Sequence, residues 1–204
     1  STGEIVPSAR EALTRLEENG HFVAIATGRA HYKARKFTDA NGFKNMVCCG
    51  GNGCVIDNEL VENIPLDKDG CIKIIHQAEE LGYGWCVALD DTKDVYMTDD
   101  KFLRQVGKRK EPTRYIIDDM LEVEKADAIY KVYVAIPKED EEKLTTKELV
   151  GHLRFEPEYL MFQPDNKRGG IIKMMEHLNA DIKDVVVFGD DYNDMDMFCP
   201  EWFS

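Results

Sequence analysis

The apolar run Val185-Val186-Val187-Phe188 gives way abruptly to Gly189-Asp190-Asp191-Tyr192-Asn193-Asp194, and this transition constrains the fold more than any other stretch of the chain. A β-branched run stopped by glycine predicts a buried strand, and Asn193 or Asp194 can cap a helix behind it. Carboxylates then gather at the carboxyl end of that strand, where open α/β sheets bind their ligands. Asp190 and Asp194, four positions apart in the sequence, offer the hard oxygens that suit Mg2+. By themselves the same residues would also make an ordinary acidic turn.

A second apolar run, Phe22-Val23-Ala24-Ile25-Ala26, ends in Thr27-Gly28-Arg29. A threonine at a strand end, with the N–H groups of the next helix behind it, can hold a phosphoryl oxygen, although helix capping alone also accounts for it. A third signal is Lys167 within Asp165-Asn166-Lys167-Arg168-Gly169-Gly170, just ahead of a helical pattern from Ile171 to Leu178. One phosphate-sized anion would unite the three, because an ammonium and a metal together neutralise charge that aspartates alone would repel.

With 204 residues, 43 % of them hydrophobic, the chain can bury a core as one domain or two small ones. A net charge of -13 argues against nucleic-acid and membrane partners, which need clustered Lys and Arg, so an anionic ligand must be held by local cations. No apolar run approaches the roughly 18 residues of a membrane span and no signal peptide is read at the start, so a cytoplasmic protein is expected. Cys48, Cys49, Cys54, Cys71, Cys86 and Cys199 lack metal-site spacing and are expected as reduced thiols, mostly in the core. None of the histidines is assigned a catalytic role.

Ser8-Ala9-Arg10-Glu11 behind Pro7 predicts a capping box and a helix that stops at Gly20. A strand over 22–26, a helix near 30–40 and a strand over 46–49 make a βαβ beginning. Gly50-Gly51-Asn52-Gly53 then leads into a hairpin of 54–56 and 60–62 around Asp57-Asn58. From Leu66 to about Pro164 the pattern changes to helices and strands with their own apolar set, including Ile75, Trp85, Val87, Val132 and Val134. Strands near 85–89, 94–98, 114–117, 129–136, 152–156 and 159–163 are expected to be mostly antiparallel, because several connections are too short for crossovers.

In this order and spacing the motifs resemble those of haloacid dehalogenase superfamily hydrolases of the Cof-type branch. Thr27-Gly28-Arg29 resembles the family's second motif, Lys167 its third and Gly189-Asp190-Asp191-Tyr192-Asn193-Asp194 its fourth, while Gly51-Asn52-Gly53 resembles the Asn-Gly turn before the inserted domain. Cys54 stands where alanine is more usual, and Arg168-Gly169-Gly170 departs mildly from Lys-Gly. The first motif, Asp-x-Asp-Gly-Thr on the first strand, has no counterpart at Ser1-Thr2-Gly3-Glu4-Ile5, which resembles the segment just downstream of that motif. The end at Ser204 likewise precedes the family's last core strand, so the chain is expected to be an internal piece of a longer hydrolase.

The resemblance implies an α/β fold: a Rossmann-like three-layer α/β/α core with a mainly parallel sheet, built from 1–64 and 165–204, with an α+β cap domain of 65–164 inserted. It implies a Mg2+-dependent phosphatase acting on small phosphorylated metabolites, sugar phosphates among them, through an aspartyl-phosphate whose aspartate lies upstream. Thr27, Lys167, Asp190 and Asp194 would be catalytic, with Asp190 and Asp194 holding the metal. Thr27, Gly28, Arg29, Asn52, Lys167 and Asn193 would bind substrate. Without its nucleophile this chain alone is expected to be inactive. A phosphate-binding regulatory protein and a phosphomutase are the alternatives.

Overall fold

A computed structural model describes residues 5–109, 113–190 and 192–204. The chain divides into two compact units, one running to Asn63 and resuming at Asn166, the other being Ile64–Asp165.

The first unit is built on a four-stranded sheet, β1 (Ile25–Ala26), β2 (Met46–Cys48), β3 (Gly53–Ile56) and β4 (Glu59–Asn63), in that spatial order. β1 and β2 are parallel, joined through the helix α2 (His31–Asn41), whereas β2–β3 and β3–β4 are antiparallel. The strand period of two sends alternate side chains to opposite faces. Met46, Cys48 and Val55 therefore pack with Ala34 of α2, while Val47 and Cys54 pack with Ile171 and Met174 of α5 (Lys167–Leu178). Helices on both faces make this unit a three-layer α/β/α arrangement. The β3–β4 hairpin turns at Asp57 and Asn58, both at positive φ (50° and 68°), the backbone that a two-residue hairpin loop requires.

Three local expectations are corrected. Helix α1 (Pro7–Glu18) starts at Pro7 behind Val6, with no side-chain cap, so Ser8 lies inside the helix and forms no capping box. The run at 185–188 is extended but among the described residues pairs only through a parallel bridge from Val186 to Phe203, with Val187 N–H donating to the Phe203 carbonyl at 3.0 Å. One neighbouring segment supplies too few ladder bonds for a regular strand, and of the run Val187 is buried while Phe188 is 83 % exposed. The segment behind it is a 3-10 helix, Tyr192–Met197, instead of an α-helix capped by Asn193 or Asp194.

The second unit is a six-stranded sheet in the order β7-β6-β5-β8-β10-β9, from β5 (Trp85–Ala88), β6 (Asp94–Met97), β7 (Arg114–Ile117), β8 (Lys131–Val134), β9 (His152–Glu156) and β10 (Tyr159–Phe162). All pairings are antiparallel except β6–β7. Its central strands are buried on both sides. Trp85, Val87, Val132, Val134, Leu160 and Phe162 meet Ile74 and Ile75 of α3 (Lys68–Glu80), and Cys86, Tyr133, Tyr159 and Met161 meet Phe102 of α4 (Lys101–Val106). Among the described residues no helix is long and apolar enough to cross a membrane.

Candidate functional site

Lys167 opens α5, a few residues earlier than the sequence pattern suggests at Ile171. Asn166 caps the helix by accepting the Gly169 N–H at 2.9 Å. The two glycines that argue against helix here are needed for close packing: a Cβ on Gly170 would lie 2.4 Å from Val47 Cγ1 and 2.8 Å from Gly51 Cα. Gly51 itself has φ 108°, and a Cβ there would fall 2.0 Å from the Asn166 carbonyl oxygen. Glycine is thus what lets the loop after β2 touch the start of α5.

That placement buries the lysine. Lys167 is 3 % exposed and Asp194 8 %, and Lys167 Nζ donates to Asp194 Oδ1 at 2.5 Å. A charge this deep requires its partner, since an unpaired ammonium would pay the full desolvation penalty. The other carboxylate oxygen, Asp194 Oδ2, accepts the backbone N–H of Asp190 at 3.2 Å, which folds the acidic turn back on itself. Gly189 permits this fold, because a Cβ there would stand 2.6 Å from Asp194 Cβ. Asp190 is exposed, at the end of the 185–188 segment.

Thr27 follows β1, its N–H donating to the Val47 carbonyl at 2.9 Å and its Oγ1 accepting from Arg29 N–H at 3.2 Å. A hydroxyl that accepts in this way still has a proton to donate. The loop after β2 links Thr27 to α5: Gly50 N–H donates to the Thr27 carbonyl at 3.4 Å, and Asn166 N–H donates to the Gly50 carbonyl at 2.8 Å. A continuous path of backbone and side-chain bonds therefore connects Thr27, the Gly50 loop, Asn166-Lys167, Asp194 and Asp190.

Asn193 is half-buried in the same 3-10 helix as Asp194, and Gly28 and Asn52 are half-buried in the two loops. Arg29 is exposed, and it is its carbonyl that joins the path, accepting Cys49 N–H at 2.8 Å. Asp191 lies outside the described residues. Two further acids hold the start of α5: Asp196 Oδ2 accepts Arg168 N–H at 2.9 Å, and Glu201 pairs with the Arg168 guanidinium. No local signal in the sequence marks either, because their partner is 28 and 33 positions away. Asp67-Lys68-Asp69-Gly70 has the spelling of a paired-aspartate motif but belongs to the other unit, where Asp67 caps α3 by accepting Gly70 N–H at 2.8 Å.

Among the described residues no group of three or more His, Cys, Asp and Glu side chains is arranged to hold a metal. Asp190 and Asp194 nevertheless fit Mg2+ by chemistry, as hard carboxylate donors for an ion that keeps several of its waters.

The whole of this architecture has relatives. The haloacid dehalogenase-like hydrolase model matches residues 1–199, and the chain belongs to that family. A Bacillus subtilis (strain 168) protein, YkrA, which bears a provisional designation as a phosphatase, is 26 % identical over 196 residues, covering 95 % of this chain and 75 % of its own length. A Geobacillus kaustophilus HTA426 protein of known structure superposes with a TM-score of 0.73 at 24 % identity, over 95 % of this chain and 76 % of the other. The sugar phosphatase BT4131, of subclass IIB, superposes at 0.66 with 19 % identity, over 94 % and 76 %. At these identities the structures establish the shared fold.

Proposed function

We propose that this chain carries the phosphate-handling half of a Mg2+-dependent phosphatase for small phosphate monoesters. Its family is one of phosphatases and phosphotransferases. The observation that carries the finer reading is the buried Lys167–Asp194 pair, tied at one end to Asp190 and at the other, through Asn166 and Gly50, to Thr27. Burial of a lysine costs free energy, and a fold tolerates it where a fixed positive charge is useful.

In this reading the Thr27 hydroxyl donates to a phosphoryl oxygen, and Lys167 neutralises charge shared by that group and the attacking carboxylate. A point-charge ammonium suits that task. Asp194 fixes Lys167 in place by accepting from its ammonium. Asp190, with Asp194 directly or through water, would hold Mg2+, which when bound supplies further neutralisation of the phosphoryl oxygens. Gly28, Arg29, Asn52 and Asn193 belong to the same two loops and the same turn and would orient the substrate. The Ile64–Asp165 unit would serve as the cap that selects it, with sugar phosphates as the expected class by likeness to BT4131.

The covalent step requires an aspartate nucleophile, assigned to a first-motif strand outside these 204 residues. Phosphate release from a generic phosphate monoester should be measured for this polypeptide and for one extended through that strand. The extended protein should hydrolyse the ester only with Mg2+, and the shorter one should be slower by several orders of magnitude. Equal rates would mean that the nucleophile lies within this chain or that the reaction class is wrong. Transfer to a second hydroxyl without phosphate release would indicate a mutase.

A further inference from the structure

Cys48 and Cys49 occupy the end of β2 and the loop beyond it, and their sulfurs lie 4.0 Å apart. Adjacent cysteines in an ordinary strand would point to opposite faces. Here they do not, because Cys49 takes a left-handed backbone (φ 53°), which L side chains seldom adopt and which turns its side chain back beside its neighbour's. Space for both sulfurs comes from the facing strand. Cys48 pairs in register with Gly53, where a Cβ would lie 2.5 Å from Cys48 Sγ and 3.3 Å from Cys49 Sγ.

We propose that Cys48 and Cys49 are a reversible oxidation site that closes to a vicinal disulfide under a hydroperoxide. The half-buried Cys49 reacts first, its thiolate taking an oxygen from hydrogen peroxide to give a sulfenic acid and hydroxide. Cys48 sulfur then attacks the Cys49 sulfur, the S–O bond breaks, and the departing oxygen and the hydroxide take up the two thiol protons as water. Both sulfurs are oxidised by one electron each, and the peroxide O–O bond is reduced to two waters. The sulfurs need approach by only about 2 Å to bond.

The other cysteines are placed against competing bridges. Cys54 and Cys199 belong to the cluster on the α5 side of the sheet and Cys48 to the α2 side, while Cys71 and Cys86 lie in the cores of the other unit. Neighbouring Cα atoms sit about 3.8 Å apart, shorter than the usual span of a disulfide, so the ring is strained and readily reduced. It would therefore act as a reversible mark and not as a structural staple. Cys49 N–H bonds the Arg29 carbonyl and the next residue, Gly50, bonds both Thr27 and Asn166, so ring closure bears on the backbone that joins these segments.

The folded protein should be treated with hydrogen peroxide, denatured in an alkylating reagent, digested and read by mass spectrometry. The peptide containing Cys48, Cys49 and Cys54 should lose two hydrogens, with alkylation confined to Cys54, and a dithiol should restore it. Cys54→Ala should retain the two-hydrogen loss and Cys49→Ser should abolish it. In Cys48→Ser, a sulfenic acid on Cys49 should be trapped by dimedone. Persistence of the loss in Cys49→Ser, its disappearance in Cys54→Ala, or oxygen addition without hydrogen loss would overturn the assignment.

Discussion

Removing one member of the Lys167–Asp194 pair should cost more than removing both. Each charge is buried and the other is its ionic partner, with the Asp190 N–H also bonding Asp194 Oδ2, so Asp194→Leu or Lys167→Met alone should destabilise by about 3–5 kcal/mol. The double variant Lys167→Met/Asp194→Leu should fall well short of the sum, and urea midpoints for the four proteins measure the difference. Full additivity would mean that the pair is not energetically coupled. A second outcome at this scale concerns thiols. Burial, reinforced by Glu62, pushes the Cys54 thiol up to about 11, and burial with Asp67 pushes Cys71 up to about 12. A raised pKa keeps the thiol protonated, and only the thiolate reacts, so at pH 8 iodoacetamide should leave both unmodified in the folded protein. Rapid native alkylation of either would contradict their placement. Thr27, Lys167, Asp190 and Asp194, which hydrogen bonds join in the structure, were legible as candidates because they sit at the ends of apolar runs or the start of a helix, in local patterns. Asp196 and Glu201 were not, since what they hold is far away in sequence.

Among the elements, α5 starts earlier than the sequence predicts, while α1 forms where it is predicted but without its expected cap. Glycine propensity delays the predicted start of α5, but tertiary contact overrides it: Gly170 must be small to meet Val47 and Gly51, and Asn166 supplies the cap. In α1 the local signal is good and tertiary support is slight. None of its residues is buried, Leu16 is 40 % exposed, and Arg10 bonds Asn41 by its guanidinium. Helices in proteins draw most of their stability from a packed face, so α1 amides should exchange with solvent faster than those of α3 or α5. Hydrogen exchange read by mass spectrometry checks this, and equal protection would show a packing partner for α1. The 185–188 run illustrates a further limit. Apolar β-branched composition gives extended backbone, but whether it becomes a ladder depends on its neighbours, and among the described residues only Phe203 pairs with it.

On the scale of the whole molecule, the Ile64–Asp165 unit buries its sheet on both faces among described residues of its own. About 100 residues suffice for an independent core. Ile64–Asp165 expressed alone should therefore unfold cooperatively in urea with a native far-ultraviolet spectrum. A non-cooperative transition would mean that its core depends on the other unit. Strand pairing there was readable from short connections, and only the parallel β6–β7 pair departs from the antiparallel rule, being joined through α4 and the longer segment after it.

If the acidic turn at Asp190–Asp194 and the buried Lys167 together handle the phosphoryl group, Mg2+ must act through Asp190. The most direct measurement is a Mg2+ titration of phosphate monoester hydrolysis by the protein extended through the first-motif strand, compared with its Asp190→Asn variant. Saturable Mg2+ dependence is expected, with a loss of at least about a thousandfold in the variant at limiting Mg2+. Near-normal turnover by Asp190→Asn at low Mg2+ would contradict it.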